Sequence, residues 1–132
     1  MAAGAADSTG LHVEVVAVDR NVYSGDATMV VARTTEGEIG VLPGHTPLLG
    51  ELAEGGVVTI RETGGGEVVA AVHGGFLSIT DEGVTILAEV AEMAADIDAS
   101  RAQSALERAR SEGDEAAARR AEGRLRAAGQ PA

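Results

Sequence analysis

His12, His45 and His73 are the side chains best suited to proton transfer or metal ligation here, and they fall in three separate segments. None has a partner at the short spacing by which metal sites are built, and the chain has no cysteine to supply a thiolate. No nucleophile–base constellation accompanies them, so each histidine reads as structural. The glycines of "TGGGE", Thr63 to Glu67, would suit a phosphate only if a helix followed; none does, so the run reads as a hairpin tip. With no lysine anywhere, a P-loop is impossible. Catalysis by this chain alone is not expected, and neither a metal nor a required cofactor is implied.

The stretch "EGEIGVLPGHTPLL", Glu36 to Leu49, is a stronger candidate for function. Pro43 and Pro47 remove donors and fix φ, while Gly40 and Gly44 permit unusual φ. Leu48 and Leu49 are expected to anchor the return to the core. A segment built this way holds one shape, and with Glu36, Glu38 and His45 displayed it reads as a rigid docking surface.

The elements that must position it have two different periods. From Leu11 the residues Leu11, Val13, Val15 and Ala17 fall on one face and His12 and Glu14 on the other, as a half-buried strand requires. Further β-like runs follow at "ATMVVAR", "GEIGVL", "VVTIR", "EVVAAV", "FLSIT" and "VTILA". Turn signals separate them at roughly ten-residue spacing, the mark of an all-β sandwich or barrel. With one phenylalanine and one tyrosine, aliphatics must fill the core, and Phe76 is expected to be a large piece of it.

Beyond Ala88 the period becomes helical. "DASRAQSALERARSEG" and "DEAAARRAEGRLRAAG" predict two helices broken at Gly113, with Asp98 and Asp114 as N-caps. Their contacting faces would be alanine: Ala102, Ala105 and Ala109 on the first helix, Ala117, Ala121 and Ala128 on the second. Leu106 and Leu125 are the bulky exceptions. Burial yields roughly 0.8 kcal/mol per CH₂ against an ordering entropy of about 1–2 kcal/mol per residue, so the hairpin is marginal by itself. It is either a poorly packed tail or a detachable element. The expected organisation is a disordered N-terminal tail over 1–10, a β-sandwich over 11–90 and a helical hairpin over 91–132.

The chain has 132 residues and a net charge of −11. Residues 1–90 carry three arginines against thirteen carboxylates, and residues 91–132 seven against eight, so the acidity belongs to the sandwich. Such a surface repels phosphate backbones and attracts a basic protein; nucleic-acid binding is not expected. "MAAGAADSTG" has neither the basic start nor the apolar centre of a signal peptide. Nowhere do about 18 apolar residues run together, so membrane association is expected only through a partner.

"VYSGDAT", "TTEGEIGVLPGHTPLL", "HGGFLSITDEGVTILAE" and "DIDASRA" together resemble the epsilon subunit family of the F-type ATP synthase, in its order and spacing, over about Leu11 to Ala128. The resemblance implies a β-sandwich of about ten strands followed by a helical hairpin. It implies a non-catalytic central-stalk rotor subunit that binds the gamma subunit and the c-subunit ring and couples proton flow to ATP synthesis. Location is then at the cytoplasmic face of the plasma membrane, peripheral, through the complex. Carried over residue by residue, Glu36, Gly37 and Glu38 form the tip facing the c ring, and His45 lies in the loop adjoining gamma and the ring. The hairpin resembles a regulatory element that reaches toward the alpha and beta subunits and hinders ATP hydrolysis. "IDASRA" fits the pattern by which some bacterial members bind regulatory ATP; Glu92, Ile97, Asp98, Arg101, Ala102, Arg120 and Arg124 match. The same residues also read as an N-cap, a first-turn pair and a solvated arginine face. The chain stops soon after Leu125, short of the longer tail of strongly inhibitory relatives. A different reading is a free-standing β-sandwich that senses a nucleotide.

Overall fold

The computed structural model describes residues 10–130. Apart from Gly10, the tail expected at residues 1–10 lies outside the described residues. Seven strands follow: β1 (Leu11–Ala17), β2 (Arg20–Thr34), β3 (Gly37–Val41), β4 (Leu48–Glu51), β5 (Gly56–Glu62), β6 (Glu67–Thr80) and β7 (Gly83–Met93). A single 3-10 turn at Ala94–Asp96 leads to helices α1 (Ala99–Glu112) and α2 (Glu115–Ala127). β7 therefore runs past the boundary expected at residue 90.

Neighbouring strands follow the order β1-β7-β6-β5-β2-β3, and β1 also pairs with β2, which closes the circuit. β1 is antiparallel to β2 and parallel to β7. The count of about ten strands becomes seven because β2 and β6 are 15 and 14 residues long and change partners partway. β2 pairs with β1 up to Ala27 and with β5 and β3 beyond it, across a bulge. β6 pairs with β5 through Val72 and with β4 through Phe76–Ile79. Long strands that change partners join the two layers of a sandwich without leaving a long open edge.

The core is aliphatic, as the composition requires: Val13, Val15, Val30, Val58, Ile60, Val72, Leu77, Ile79 and Ile86 are buried together. Phe76 is not among them. It stands 50% exposed, as do Leu48 and Leu49 at 41% and 70%, so neither the expected core phenylalanine nor the expected leucine anchor is inside. The cause is a change of phase in β6. Val72 and Leu77 both point into the core although strict alternation would put Phe76 there. Between them Gly74 and Gly75 adopt φ of 75° and 117°, which flips the faces.

The same strand explains where the hairpin sits. Ala71 and His73 alternate with the core residue Val72 and so face away from the sandwich interior, yet both are buried. α2 packs over β6 and β5 and covers them. Asp98 and Asp114 cap the helices by accepting from the amides of Arg101 and Ala117, each at 3.1 Å, and Gly113 ends α1 with φ 72°. α1 buries Ala102, Leu106 and Ala109; α2 buries Ala121, Gly123, Leu125 and Ala127. Ala117 on α2 and Ala128, which caps its C-terminus, are only half-buried, and Ala118 packs against the inter-helix cluster instead. That helix has two buried faces, one toward α1 and one toward the sandwich, which a single amphipathic stripe does not anticipate.

Candidate functional site

Two regions carry the residues singled out above: the Glu36–Leu49 loop, and the junction between hairpin and sandwich. In the loop, Thr34 Oγ1 donates to the Gly37 carbonyl at 2.8 Å and accepts from the Glu36 amide at 3.1 Å. Gly37 takes φ 128°, so the tip has a defined shape with Glu36 and Glu38 exposed. His45 closes a turn on the Leu42 carbonyl at 3.1 Å, and its Nδ1 lies 2.6 Å from the Thr46 carbonyl. The tip and His45 line different clefts. Glu38 borders one with Arg33 and the α2 residues Arg119, Glu122 and Arg126. His45 borders another with His12, Asp26, Asp81 and Glu82.

Sequence reasoning placed Phe76 in the core and so missed a third feature. Phe76 and Leu87 are cross-strand partners on the outer face of β6 and β7, 50% and 48% exposed. Glu51 pairs with Phe76, and Leu49, two residues away on β4, continues the same face. A groove of about 820 Å³ lined by Val16, Val18, Phe76 and Leu87 runs beside them. Exposed apolar side chains gathered on one sheet face mark a docking surface. The "GG" before Phe76 was the available signal, because a glycine pair inside a strand pattern points to a bulge and a change of phase.

At the junction, Glu92, Ile97, Asp98, Arg101, Ala102 and Arg124 line one cleft of about 360 Å³, together with Asp96 and Ala105. Arg120 is the matching residue outside it; its guanidinium pairs with Glu54 at 3.6 Å. Glu92 Oε1 accepts from Arg124 Nε at 2.7 Å and lies 2.9 Å from His73 Nε2. Because a carboxylate only accepts, the proton of the neutral imidazole sits on Nε2, and the buried Nδ1 is without a partner among the described residues. Burial pushes the His73 pKa below its usual 6.5, outweighing the pull of Glu92. Burial alone would raise the Glu92 carboxyl, but the bonds from Arg124 and His73 outweigh it and hold the carboxyl below its ordinary range.

Two glycines set the approach of α2. A Cβ on Gly123 would lie 2.5 Å from the Gly55 carbonyl oxygen, and one on Gly55 would collide with the Arg119 carbonyl. Arg126 donates to the same Gly55 carbonyl at 3.5 Å. A glycine inside a helical pattern was the signal for such close backbone contact. Among the described residues no group of three or more potential metal ligands occurs.

Comparison with known proteins gives one answer. Residues 10–94 match the family model described as ATP synthase, Delta/Epsilon chain, beta-sandwich domain. An ATP synthase epsilon chain of Streptomyces griseus is 63% identical over 117 residues, covering 89% of this chain and 94% of that one. An ATP synthase epsilon chain of Nocardia farcinica is 51% identical over 129 residues, covering 97% and 98%. Among solved structures, a chain of the Euglena gracilis mitochondrial ATP synthase, in an assembly of OSCP, F1 and c-ring, superposes with a TM-score of 0.72 at 29% identity, covering 89% of this chain and 76% of that one.

Proposed function

The chain belongs to the ATP synthase delta/epsilon family, and we propose that it is a central-stalk rotor subunit coupling proton-driven rotation of the c ring to ATP synthesis on other subunits. The observation that carries this reading is the apolar outer face around Phe76, Leu87 and Leu49. In a chain with no constellation for catalysis, that face is what an obligate partner would cover. We assign it to the gamma subunit. The acidic tip Glu36–Glu38 and the His45 turn are assigned to the c ring. A tip of this charge suits a basic loop, fixing orientation more than affinity, since an exposed ion pair contributes about 0–1 kcal/mol. The complex would hold the chain at the cytoplasmic face of the plasma membrane. No helix among the described residues is long and apolar enough to cross a membrane.

The test is association. The full chain should co-purify with gamma and the ring, and Phe76→Asp should weaken that association at least tenfold while leaving the melting temperature unchanged. Undiminished association of this variant would remove the assignment of the face.

The hairpin is proposed to restrain ATP hydrolysis, with ATP as the regulatory ligand of the cleft at Glu92, Asp98, Arg101 and Arg124. Support comes from six matching residues meeting in one cleft across the 3-10 turn. Calorimetry with ATP on the full chain and on Arg101→Ala measures this directly. Absent binding removes the nucleotide and leaves the rotor role standing. Deleting residues 97–132 from the assembled enzyme should raise ATP hydrolysis; unchanged hydrolysis means that the hairpin is not a brake.

A further inference from the structure

His73 belongs neither to the sandwich core nor to the cleft that Ile97, Asp98 and Arg101 line. Its side chain is 1% exposed, on the outer face of β6, beneath α2. Nε2 holds Glu92, Glu92 holds Arg124 of the hairpin, and Nδ1 faces no acceptor among the described residues. We propose that His73 is a proton-operated latch for the hairpin: neutral, it fastens Glu92 for Arg124, and on taking a second proton it drives α2 off the sandwich. The proposal rests on the reading of the hairpin as a detachable regulatory element.

The charged groups facing His73 come from three elements. They are Glu92 on β7, Arg124 on α2 and Glu54 on the turn after β4, the last already paired with Arg120. Two carboxylates favour a charged imidazole, but Glu92 is shared with Arg124, and Arg124 opposes a second cation. The deciding feature is Nδ1. Protonation would create an N–H donor in a buried position with no partner, whereas in the undocked hairpin the ring meets water and the new donor is satisfied. Burial depresses the pKa only while α2 covers the ring.

The sign follows from that difference. The docked pKa lies below the ordinary 6.5 that the uncovered ring regains, so the latch is fully closed above 6.5 and loosens as pH falls from there through the docked value. One linked proton changes the docked-to-undocked ratio by at most about tenfold per pH unit. Glu92 itself titrates below 4.5 and does not contribute between pH 7.5 and 5.5.

The chain has no native cysteine, so spin labels at Asn21→Cys on β2 and Glu112→Cys at the end of α1 report docking by pulsed EPR. In the full chain a single distance is expected at pH 7.5, with a longer component growing several-fold by pH 5.5. His73→Gln keeps an N–H for Glu92 but cannot titrate, and should show the same distances at both pH values. An unchanged distribution in the native sequence, or equal lengthening in His73→Gln, overturns the proposal. Should that variant fail to fold, NMR titration of the His73 ring in the native sequence decides. Proton uptake must share its midpoint with the lengthening, and uptake at unchanged distance overturns the latch. Co-purification with gamma reads the rotor role separately, so a failed latch and a failed rotor assignment give different results.

Discussion

At the scale of single residues, the same side-chain type does opposite things in different surroundings. His12 is half exposed and bonded to Glu14 at 3.0 Å and Asp26 at 3.3 Å, which raises its pKa above 6.5, whereas burial lowers that of His73. An NMR titration should therefore give two midpoints on either side of 6.5, His12 above and His73 below. The reversed order would refute the burial argument. Tyr23 offers a cleaner reading because it is the one tyrosine. Burial, and its bond to Glu62 at 2.7 Å, push the phenol up to about 12, so ultraviolet titration of the folded chain should show mostly phenol at pH 10.5, where a free tyrosine is mostly phenolate. The Arg124–Glu92 pair is about three-tenths exposed, and solvent screening discounts it. Arg124→Gln should loosen the hairpin by roughly 1–2 kcal/mol, measured as faster proteolysis within residues 99–127.

At the scale of elements, the hairpin stands on little apolar material: Leu106 and Leu125 are its bulky buried residues, surrounded by Ala102 and Ala121. Leu106→Ala removes about 2–5 kcal/mol, more than so thin a contact supplies. Circular dichroism should lose its helical component while the β signal and the cooperative melt of the sandwich persist. Gly123 separates intrinsic preference from docking. Alanine there favours the free helix by about 1 kcal/mol, but its Cβ would meet the Gly55 carbonyl at 2.5 Å. Gly123→Ala should therefore undock α2 despite the better helix preference, an outcome visible as a longer distance between the labels on β2 and α1. These contacts also show how much was legible beforehand. The N-caps Asp98 and Asp114 and the stop at Gly113 follow from neighbours in the chain and stand where expected. The second buried face of α2 does not, because it exists only where the sandwich lies against it.

For the whole molecule, the long strands β2 and β6 let seven strands close a sandwich around an aliphatic core, with the hairpin laid on an outer face and the apolar surface at Phe76 left open. Net charge adds a prediction at this scale. A chain at −11 that binds a basic partner should associate more slowly as salt rises, and a salt-independent association rate would count against electrostatic steering. By itself the sequence determined the alternation of β1, the helix limits and the family resemblance, whereas the turn signals at Ser24–Asp26 and His73–Gly75 fall inside β2 and β6. What it determined depends on residue types at short spacing. Tertiary structure decided that Phe76 faces out: the glycine pair only signals that the phase can change, while the flip itself is in the φ angles of Gly74 and Gly75, where a Cβ on Gly75 would collide with the Leu87 carbonyl. It alone brought His73 to Glu92 and Arg124, which the family resemblance had grouped without it, because residues on β6, β7 and α2 meet only once those elements have stacked, and no local period records the distance between separate elements.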